Sequence, residues 1–140
     1  MLILTAAVLV GCARSEQHSP ETPPVIIAHR GASGYLPEHT LAAYALAYGQ
    51  GADVIEPGVV STRDGVLICA HDLTAEAVTD VESVFPDRAR ADGKWYFADL
   101  TLAEVKRLRV LGRGERRSAG AAYTGLEVPT LDEMLHMVQE

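Results

Sequence analysis

The sequence has 140 residues, of which 48% are hydrophobic and 22% are charged, a composition typical of one globular domain. Its net charge is −7, so no overall basic field exists that would attract nucleic acid, and we expect no nucleic-acid partner. The two cysteines, Cys12 and Cys69, cannot form a disulfide framework and lack the paired spacing of a structural zinc site.

The chain opens with a short apolar run over residues 1–11, about half the length needed to cross a bilayer. Leu9-Val10-Gly11-Cys12 looks like a bacterial lipobox, in which Cys12 becomes the lipid-modified N-terminus. No Lys or Arg precedes the run, although secretory signals normally begin with positive charge, so a frayed terminus or a buried first strand is the alternative. Residues 12–24 are polar and contain three prolines, as in a flexible tether. We therefore predict a lipoprotein signal peptide over 1–11, a tether over 12–24, a domain over 25–140, and anchoring at the cell envelope on its periplasmic or extracellular face.

From residue 25 the pattern alternates between strand and helix. Residues 25–28 form a continuous apolar run that ends at His29, which predicts a strand buried on both faces. Residues 40–50 space apolar side chains at helical intervals, and Gly51 stands where that helix would end. Residues 52–60 predict a second strand. This order of strand, helix and strand indicates a parallel sheet in an α/β fold.

The later part of the sequence contains one turn signal and two helix starts. Residues 62–65 end in Asp-Gly, and residues 66–70 predict a returning strand that ends at His71. Capping boxes at Thr101 and Thr130, each followed three residues later by glutamate, predict two further helices.

Residues able to do chemistry lie where the predicted strands end. His29 and Arg30 follow the first strand, Glu56 lies on the second, and His71 with Asp72 ends the third. The carboxyl ends of strands build the active site in parallel α/β proteins. A single histidine at a strand end is more often a structural hydrogen-bonding group, so only the ordered set is specific.

Three stretches resemble the glycerophosphodiester phosphodiesterase family. Residues 29–40, HRGASGYLPEHT, resemble its opening motif, and residues 51–72 resemble its second-strand block with the closing His-Asp pair. Residues 79–106 are similar to part of an insertion, here about 73–125, found in the periplasmic branch. The resemblance implies a TIM (β/α)8 barrel, which takes about 250 residues. We therefore predict that residues 25–140 are the N-terminal portion of one, with two to three βα units, in a fragment or truncated product.

The resemblance also implies an activity, the hydrolysis of small glycerophosphodiesters to sn-glycerol 3-phosphate and an alcohol. The family's two catalytic histidines match His29 and His71, and histidine exchanges protons near neutral pH. Arg30 matches an arginine that contacts phosphate, for which a planar fork of donors is suited. An ordinary surface ion pair is the alternative role for Arg30. No oligomeric state is predicted.

The family's divalent cation, calcium or alternatively magnesium, is held by carboxylates. Glu38 and Glu56 match two of these metal-ligand positions. Gly58 stands where the family has the aspartate of a Glu-x-Asp pair, and a later glutamate would fall beyond Glu140. Because hard cations derive affinity from charged oxygen ligands, we predict weakened cation binding. Two hypotheses stay open: an exported phosphodiesterase, and a non-catalytic lipoprotein that retains the family scaffold.

Other charged residues are predicted to have no part in the site. Asp53 falls on the opposite side of the strand from Glu56 by parity, and Asp64 lies in the predicted turn, so neither is expected to replace the missing ligand. Five arginines near the end of the chain are predicted to form a solvated face: Arg107, Arg109, Arg113, Arg116 and Arg117.

Overall fold

The computed structural model describes residues 23–114 and 123–139. The predicted signal peptide, the tether up to residue 22, Arg116 and Arg117 therefore lie outside the described residues. Within the two described ranges, no helix is long and apolar enough to cross a membrane.

A parallel strand pair joined by a helix forms the first unit of the fold. Strand β1 (Ile27–His29) pairs in parallel with strand β2 (Val54–Glu56), and the register places His29 opposite Glu56. Helix α1 (Leu41–Gly49) connects the two strands. The order of strand, helix and parallel strand predicted from the sequence is confirmed.

Both ends of α1 follow the sequence signals. The side chain of Thr40 caps the N-terminus by accepting a hydrogen bond from the Ala43 amide at 3.2 Å. Gly51 ends the turn after the helix with φ 82°, a conformation that glycine adopts without steric cost. Between these ends the ring of Tyr44 is fully buried, so α1 packs through this face against the rest of the molecule.

The prediction that the first strand is buried on both faces is wrong. Ile26 and Ile27 are 57% and 59% exposed, because β2 is the only described strand that pairs with β1. Asp53 also has a structural role here, since its Oδ2 accepts a hydrogen bond from the Ile26 amide at 2.8 Å. The apolar side chains at the start of β1 are therefore not covered by other described residues.

The predicted second strand, residues 52–60, is interrupted at Pro57 and Gly58. Before the interruption β2 pairs with β1, and after it strand β3 (Val59–Ser61) pairs antiparallel with strand β4 (Leu67–Cys69). Proline has no amide hydrogen to donate to a ladder, which accounts for the break. The stretch therefore contributes to two separate two-stranded sheets.

The turn between β3 and β4 is tied to the next helix. Asp64 accepts a hydrogen bond from the Thr62 hydroxyl at 2.6 Å and another from the Leu102 amide at 3.0 Å. Helix α3 (Leu102–Val105) begins with the predicted capping box, and the backbone hydrogen bond from Thr101 is the largest cause that lowers the pKa of Glu104 to about 2. Asp64 is thus a structural residue, as its place in the turn predicted.

The main core lies between the β3–β4 hairpin and the segment that follows it, which includes helix α2 (Val81–Val84) and two 3-10 turns (Pro86–Arg88 and Phe97–Asp99). Its side chains are apolar and almost wholly excluded from solvent. The largest of them are Ile68, Val81, Phe97, Leu100, Val105 and Leu108. The predicted insertion segment therefore shares one core with the hairpin rather than forming a separate unit.

Helix α4 (Leu131–Gln139) closes a second, smaller cluster. The predicted capping box is confirmed, because Thr130 and Glu133 exchange hydrogen bonds of 2.8 and 3.0 Å between backbone amides and side-chain oxygens. The helix packs on α1 and β4, and the cluster that they share contains Tyr44, Cys69 and Met134. Burial raises the pKa of the Cys69 thiol, which makes it an inert core residue.

Gly58 lies in close contact with the end of β4. The Ala70 amide donates to the Gly58 carbonyl at 3.0 Å, and a Cβ atom at residue 58 would stand only 2.7 Å from the Ala70 carbonyl oxygen. The Ala70 carbonyl belongs to the main chain, so it cannot rotate away from an added Cβ atom as the end of a flexible side chain could. Glycine is therefore required by this approach of two main chains, and any side chain here must displace the hairpin.

We expect Gly58→Ala to lower the free energy of unfolding by about 1–3 kcal/mol, the usual range for overpacking. Gly49→Ala is the matched control, because no atom lies within 4 Å of its would-be Cβ and alanine is the better helix former. Urea titrations followed by circular dichroism measure both changes. Equal stability of the two variants would contradict the close approach at Gly58.

Candidate active site

The parallel pair brings the first three candidate residues together. Because His29 pairs with Glu56, the Arg30 amide lies over the end of β2, where it donates to the Glu56 carbonyl at 3.0 Å and to its side-chain Oε2 at 3.3 Å. Arg30 adopts a left-handed φ of 66°, which turns the chain sharply after β1. The turn directs the loop back across the edge at which both strands end.

His29 lies between a donor and an acceptor. Its Nε2 atom is 3.4 Å from Nε of Arg30, which can donate to it, and 3.9 Å from Oε2 of Glu56. The side chain is two-thirds exposed, so a substrate can reach the ring. When the ring is neutral, Nε2 can accept a hydrogen bond from the arginine.

His71 is oriented by the next residue. Its Nδ1 atom lies 2.6 Å from Oδ1 of Asp72, and the pKa of that carboxyl lies below its usual value. Burial alone would raise this pKa, but hydrogen bonds from His71 and Arg113 outweigh the effect. An ionised carboxylate only accepts hydrogen bonds, so Nδ1 of His71 carries the hydrogen and donates it to Asp72.

Glu38 is the ionic centre of the site. Two guanidinium groups donate four hydrogen bonds to its carboxylate: Nη1 of Arg30 at 3.2 and 3.3 Å, and Nε and Nη2 of Arg113 at 3.1 and 2.9 Å. Burial opposes the charged form, but the hydrogen bonds from Arg113 and the charges of both arginines hold the pKa of Glu38 below its usual value. The side chain is 12% exposed, so the carboxylate is partly buried and paired.

The prediction of a solvated arginine face is wrong for Arg113. Besides Glu38, its Nη2 atom donates to Oδ2 of Asp72 at 2.7 Å, and hydrogen bonding to Glu38 is the main cause that raises the pKa of the guanidinium. Arg107 stacks over the Phe85 ring at 4.7 Å, whereas Arg109 is exposed. No local spacing marks Arg113, because its partner Glu38 is 75 residues away in the sequence.

Two groups of contacts therefore make up the site. The first comprises His29, Arg30 and Glu56, and the second comprises Glu38, Arg113, Asp72 and His71. Arg30 joins them through its Nη1 contacts with Glu38. All the candidate catalytic, phosphate and metal residues predicted from the sequence thus belong to one connected network, and Arg113 is the member that the sequence did not reveal.

His39 is a further polar residue that sequence reasoning missed. It is 4% exposed, has a left-handed φ of 58°, and contacts the Tyr44 hydroxyl through Nδ1 at 2.8 Å. Its Nε2 atom is buried with no hydrogen-bond partner among the described residues. Burial is the main cause that lowers the pKa of His39 to about 4, and the positive charge of Arg30 acts in the same direction.

Comparisons with known proteins identify the family of the chain. The model of the glycerophosphoryl diester phosphodiesterase family matches residues 29–140. The chain belongs to this family. It is 42% identical over 124 residues to a glycerophosphodiester phosphodiesterase of Haemophilus influenzae, covering 86% of this chain and 34% of that protein. It is also 43% identical over 144 residues to that of Treponema pallidum, covering 96% and 38% respectively.

Solved structures of the family confirm the expected fold, a portion of a TIM barrel. The glycerophosphodiester phosphodiesterase of Agrobacterium tumefaciens matches with a TM-score of 0.64 and 32% identity, over 82% of this chain and 42% of that one. A phosphodiesterase of Oleispira antarctica, solved with the product sn-glycerol-3-phosphate, matches with a TM-score of 0.63 and 33% identity, over 83% and 40%. The chain thus spans about two-fifths of the length of these family members.

Members of the glycerophosphoryl diester phosphodiesterase family generally use a divalent metal, but the described residues of this chain do not fit one. No group of three or more His, Cys, Asp or Glu side chains within the described ranges is placed to hold an ion. Glu38 is engaged by two arginines, and Glu56 by the Arg30 amide. Gly58 offers no ligand, and an added carboxylate there would meet the Ala70 backbone. An aspartate at position 58 could therefore not supply a ligand without displacing this backbone.

Because the pKa of His39 falls from 6.5 to about 4 on folding, the unfolded chain binds a proton that the folded chain excludes between these pH values. The neutral, buried His39 therefore contributes to the free energy of unfolding above pH 6.5. This contribution, about 3 kcal/mol in total, is lost as the pH falls towards 4. We expect His39→Asn, which tolerates the left-handed backbone, to flatten the pH dependence of the unfolding free energy.

Urea titrations at pH 4.5, 5.5 and 6.5 measure the slope. His136→Asn is the matched control, since it removes an exposed histidine on α4 instead of a buried one. An unaltered slope in His39→Asn would show that His39 is not the group that protonates on unfolding.

Proposed function

We propose that this chain takes part in the hydrolysis of glycerophosphodiesters to sn-glycerol 3-phosphate and an alcohol. One observation carries the proposal: two histidines, His29 and His71, lie at strand ends in the same ionic network, each beside a carboxylate. Phosphodiester cleavage needs one group to accept a proton and another to donate one. The names of the relatives and the product found with the Oleispira antarctica enzyme support the choice of substrate class.

The geometry favours different roles for the two histidines. Asp72 holds Nδ1 of His71, which leaves Nε2 to accept the proton of the attacking oxygen and stabilises the resulting imidazolium. His29, when protonated, faces Glu56 and can donate its proton to the alcohol oxygen as the phosphorus–oxygen bond breaks. Arg30, whose Nε lies 3.4 Å from Nε2 of His29, carries a fork of donors suited to the phosphoryl oxygens.

We expect His29→Ala and His71→Ala each to lower the release of sn-glycerol 3-phosphate from glycerophosphocholine by about 100-fold or more, the usual scale of general acid–base catalysis. His136→Ala is the control, because this exposed histidine contacts only its own helix among the described residues. A coupled assay of the released phosphate ester measures all three. Full turnover by either site variant would show that its histidine is not an acid–base group.

A second candidate is a non-catalytic member that retains the family scaffold. The engagement of Glu38 by two guanidiniums and the glycine at position 58 favour this alternative, since both remove metal ligands that the family resemblance implies. The same assay separates the candidates. Binding of sn-glycerol 3-phosphate without any turnover by the unmodified chain would support the non-catalytic scaffold and contradict hydrolysis.

We also propose that the protein is exported and anchored to the membrane through Cys12. The support is sequence alone: the lipobox-like Leu9-Val10-Gly11-Cys12 string and the proline-containing tether that follows it. A diacylglyceryl group supplies about 0.8 kcal/mol for each buried methylene, and two or three acyl chains suffice for stable attachment.

Expression in a bacterium with labelled fatty acid should label the unmodified protein, and Cys12→Ser should abolish the label because no thiol remains at the acylation site. Cys69→Ala is the matched control, since Cys69 is buried in the core and should not be lipidated. Equal labelling of Cys12→Ser, or no labelling of the unmodified protein, would refute the anchor.

A further inference from the structure

Arg113 occupies the space between two carboxylates from different parts of the fold. Its Nη2 atom lies 2.9 Å from Oε1 of Glu38, in the loop after β1, and 2.7 Å from Oδ2 of Asp72, after β4. Calcium binds carboxylate oxygens at about 2.3–2.6 Å. The nitrogen therefore occupies the space between the two oxygens, where an ion bridging them would also have to lie.

The guanidinium is held there by more than one contact. Nε of Arg113 donates to the other oxygen of Glu38 at 3.1 Å, so the fork binds this carboxylate at both ends. Glu38 is 12% exposed and Asp72 is 31% exposed, so water screens these pairs less than it screens fully exposed ones. The arrangement neutralises charge that would otherwise attract a small cation.

The local balance of charge supports the same conclusion. The network contains the carboxylates of Glu38, Glu56 and Asp72 against the guanidiniums of Arg30 and Arg113. With both arginines present, one negative charge is left over; loss of Arg113 would leave two, and would expose oxygens of Glu38 and Asp72. The misfit between the described residues and a divalent metal is therefore centred on Arg113.

We propose that Arg113 is a built-in counter-ion that competes with a divalent cation for Glu38 and Asp72, so that its contacts with this carboxylate pair and cation binding exclude each other. The proposal concerns binding and does not depend on turnover by this chain. It also assigns Arg113 a role that the family resemblance did not supply, since the sequence pattern placed this residue on a solvated face.

Calcium titration of the full chain by calorimetry tests the proposal. Arg113→Gln, which removes the charge and the fork, should bind calcium at least ten-fold more tightly than the unmodified chain. Arg109→Gln is the matched control, because Arg109 is exposed and forms no ion pair with a described residue, so it changes net charge alone. Adding Glu38→Gln to Arg113→Gln should cancel the gain, since it removes one of the two ligands.

An unchanged calcium affinity in Arg113→Gln, or an equal gain in Arg109→Gln, would overturn the proposal. If circular dichroism shows that Arg113→Gln does not fold, the unmodified chain provides a second test. Its nuclear magnetic resonance signal from the Arg113 Nε–H group is then followed during calcium titration. Millimolar calcium should move this signal towards the position of a free arginine. A signal that does not move at 20 mM calcium would overturn competition as firmly as an unchanged affinity.

Discussion

The parallel pairing of β1 with β2 aligns His29 with Glu56, and the left-handed Arg30 then closes the end of both strands with its amide. Every later feature of the site depends on this alignment. A slip of one residue would turn all side chains of β1 to the other face and would separate His29 from its carboxylate neighbour. The loop after Arg30 would then no longer carry Glu38 back towards the same edge.

Glu38 extends the network from the parallel pair to the hairpin. Removing a carboxylate from water is costly unless it is paired and hydrogen-bonded, and the partly buried Glu38 meets both requirements through Arg30 and Arg113. Arg113 continues the network to Asp72, which in turn orients His71. Charge neutralisation of one side chain thus couples segments that are far apart in the sequence.

Packing is unevenly divided between the two sheets. The β3–β4 hairpin and the segment that follows it bury Ile68 and Phe97 almost completely, whereas Ile26 and Ile27 beside β2 are mostly exposed. The hairpin and its core therefore provide the well-packed side of the site, and Gly58, which follows β2, allows its main chain to approach that side closely. The network of ion pairs joins the well-packed half to the exposed one.

The sequence by itself determined several helix ends and indicated most residues of the candidate site. Helix ends at Thr40, Thr101 and Thr130 were predictable because caps are made by residues within a few positions of each other. The family motifs likewise indicated His29 and His71. Whether a strand is buried could not be predicted, since the apolar run before His29 has the same pattern whether or not other elements cover it.

Only the tertiary structure decided which charges meet. Arg113 and Glu38 are 75 residues apart, and no periodicity relates positions that the fold brings together by long-range packing. The isolation of His39 Nε2 and the need for glycine at position 58 arise in the same way, from neighbours that are distant in the chain or contributed by another element. Contacts between residues a few positions apart can be predicted from the local sequence. The counter-ion of the Glu38 carboxylate, in contrast, depends on which side chain the folded chain places beside it.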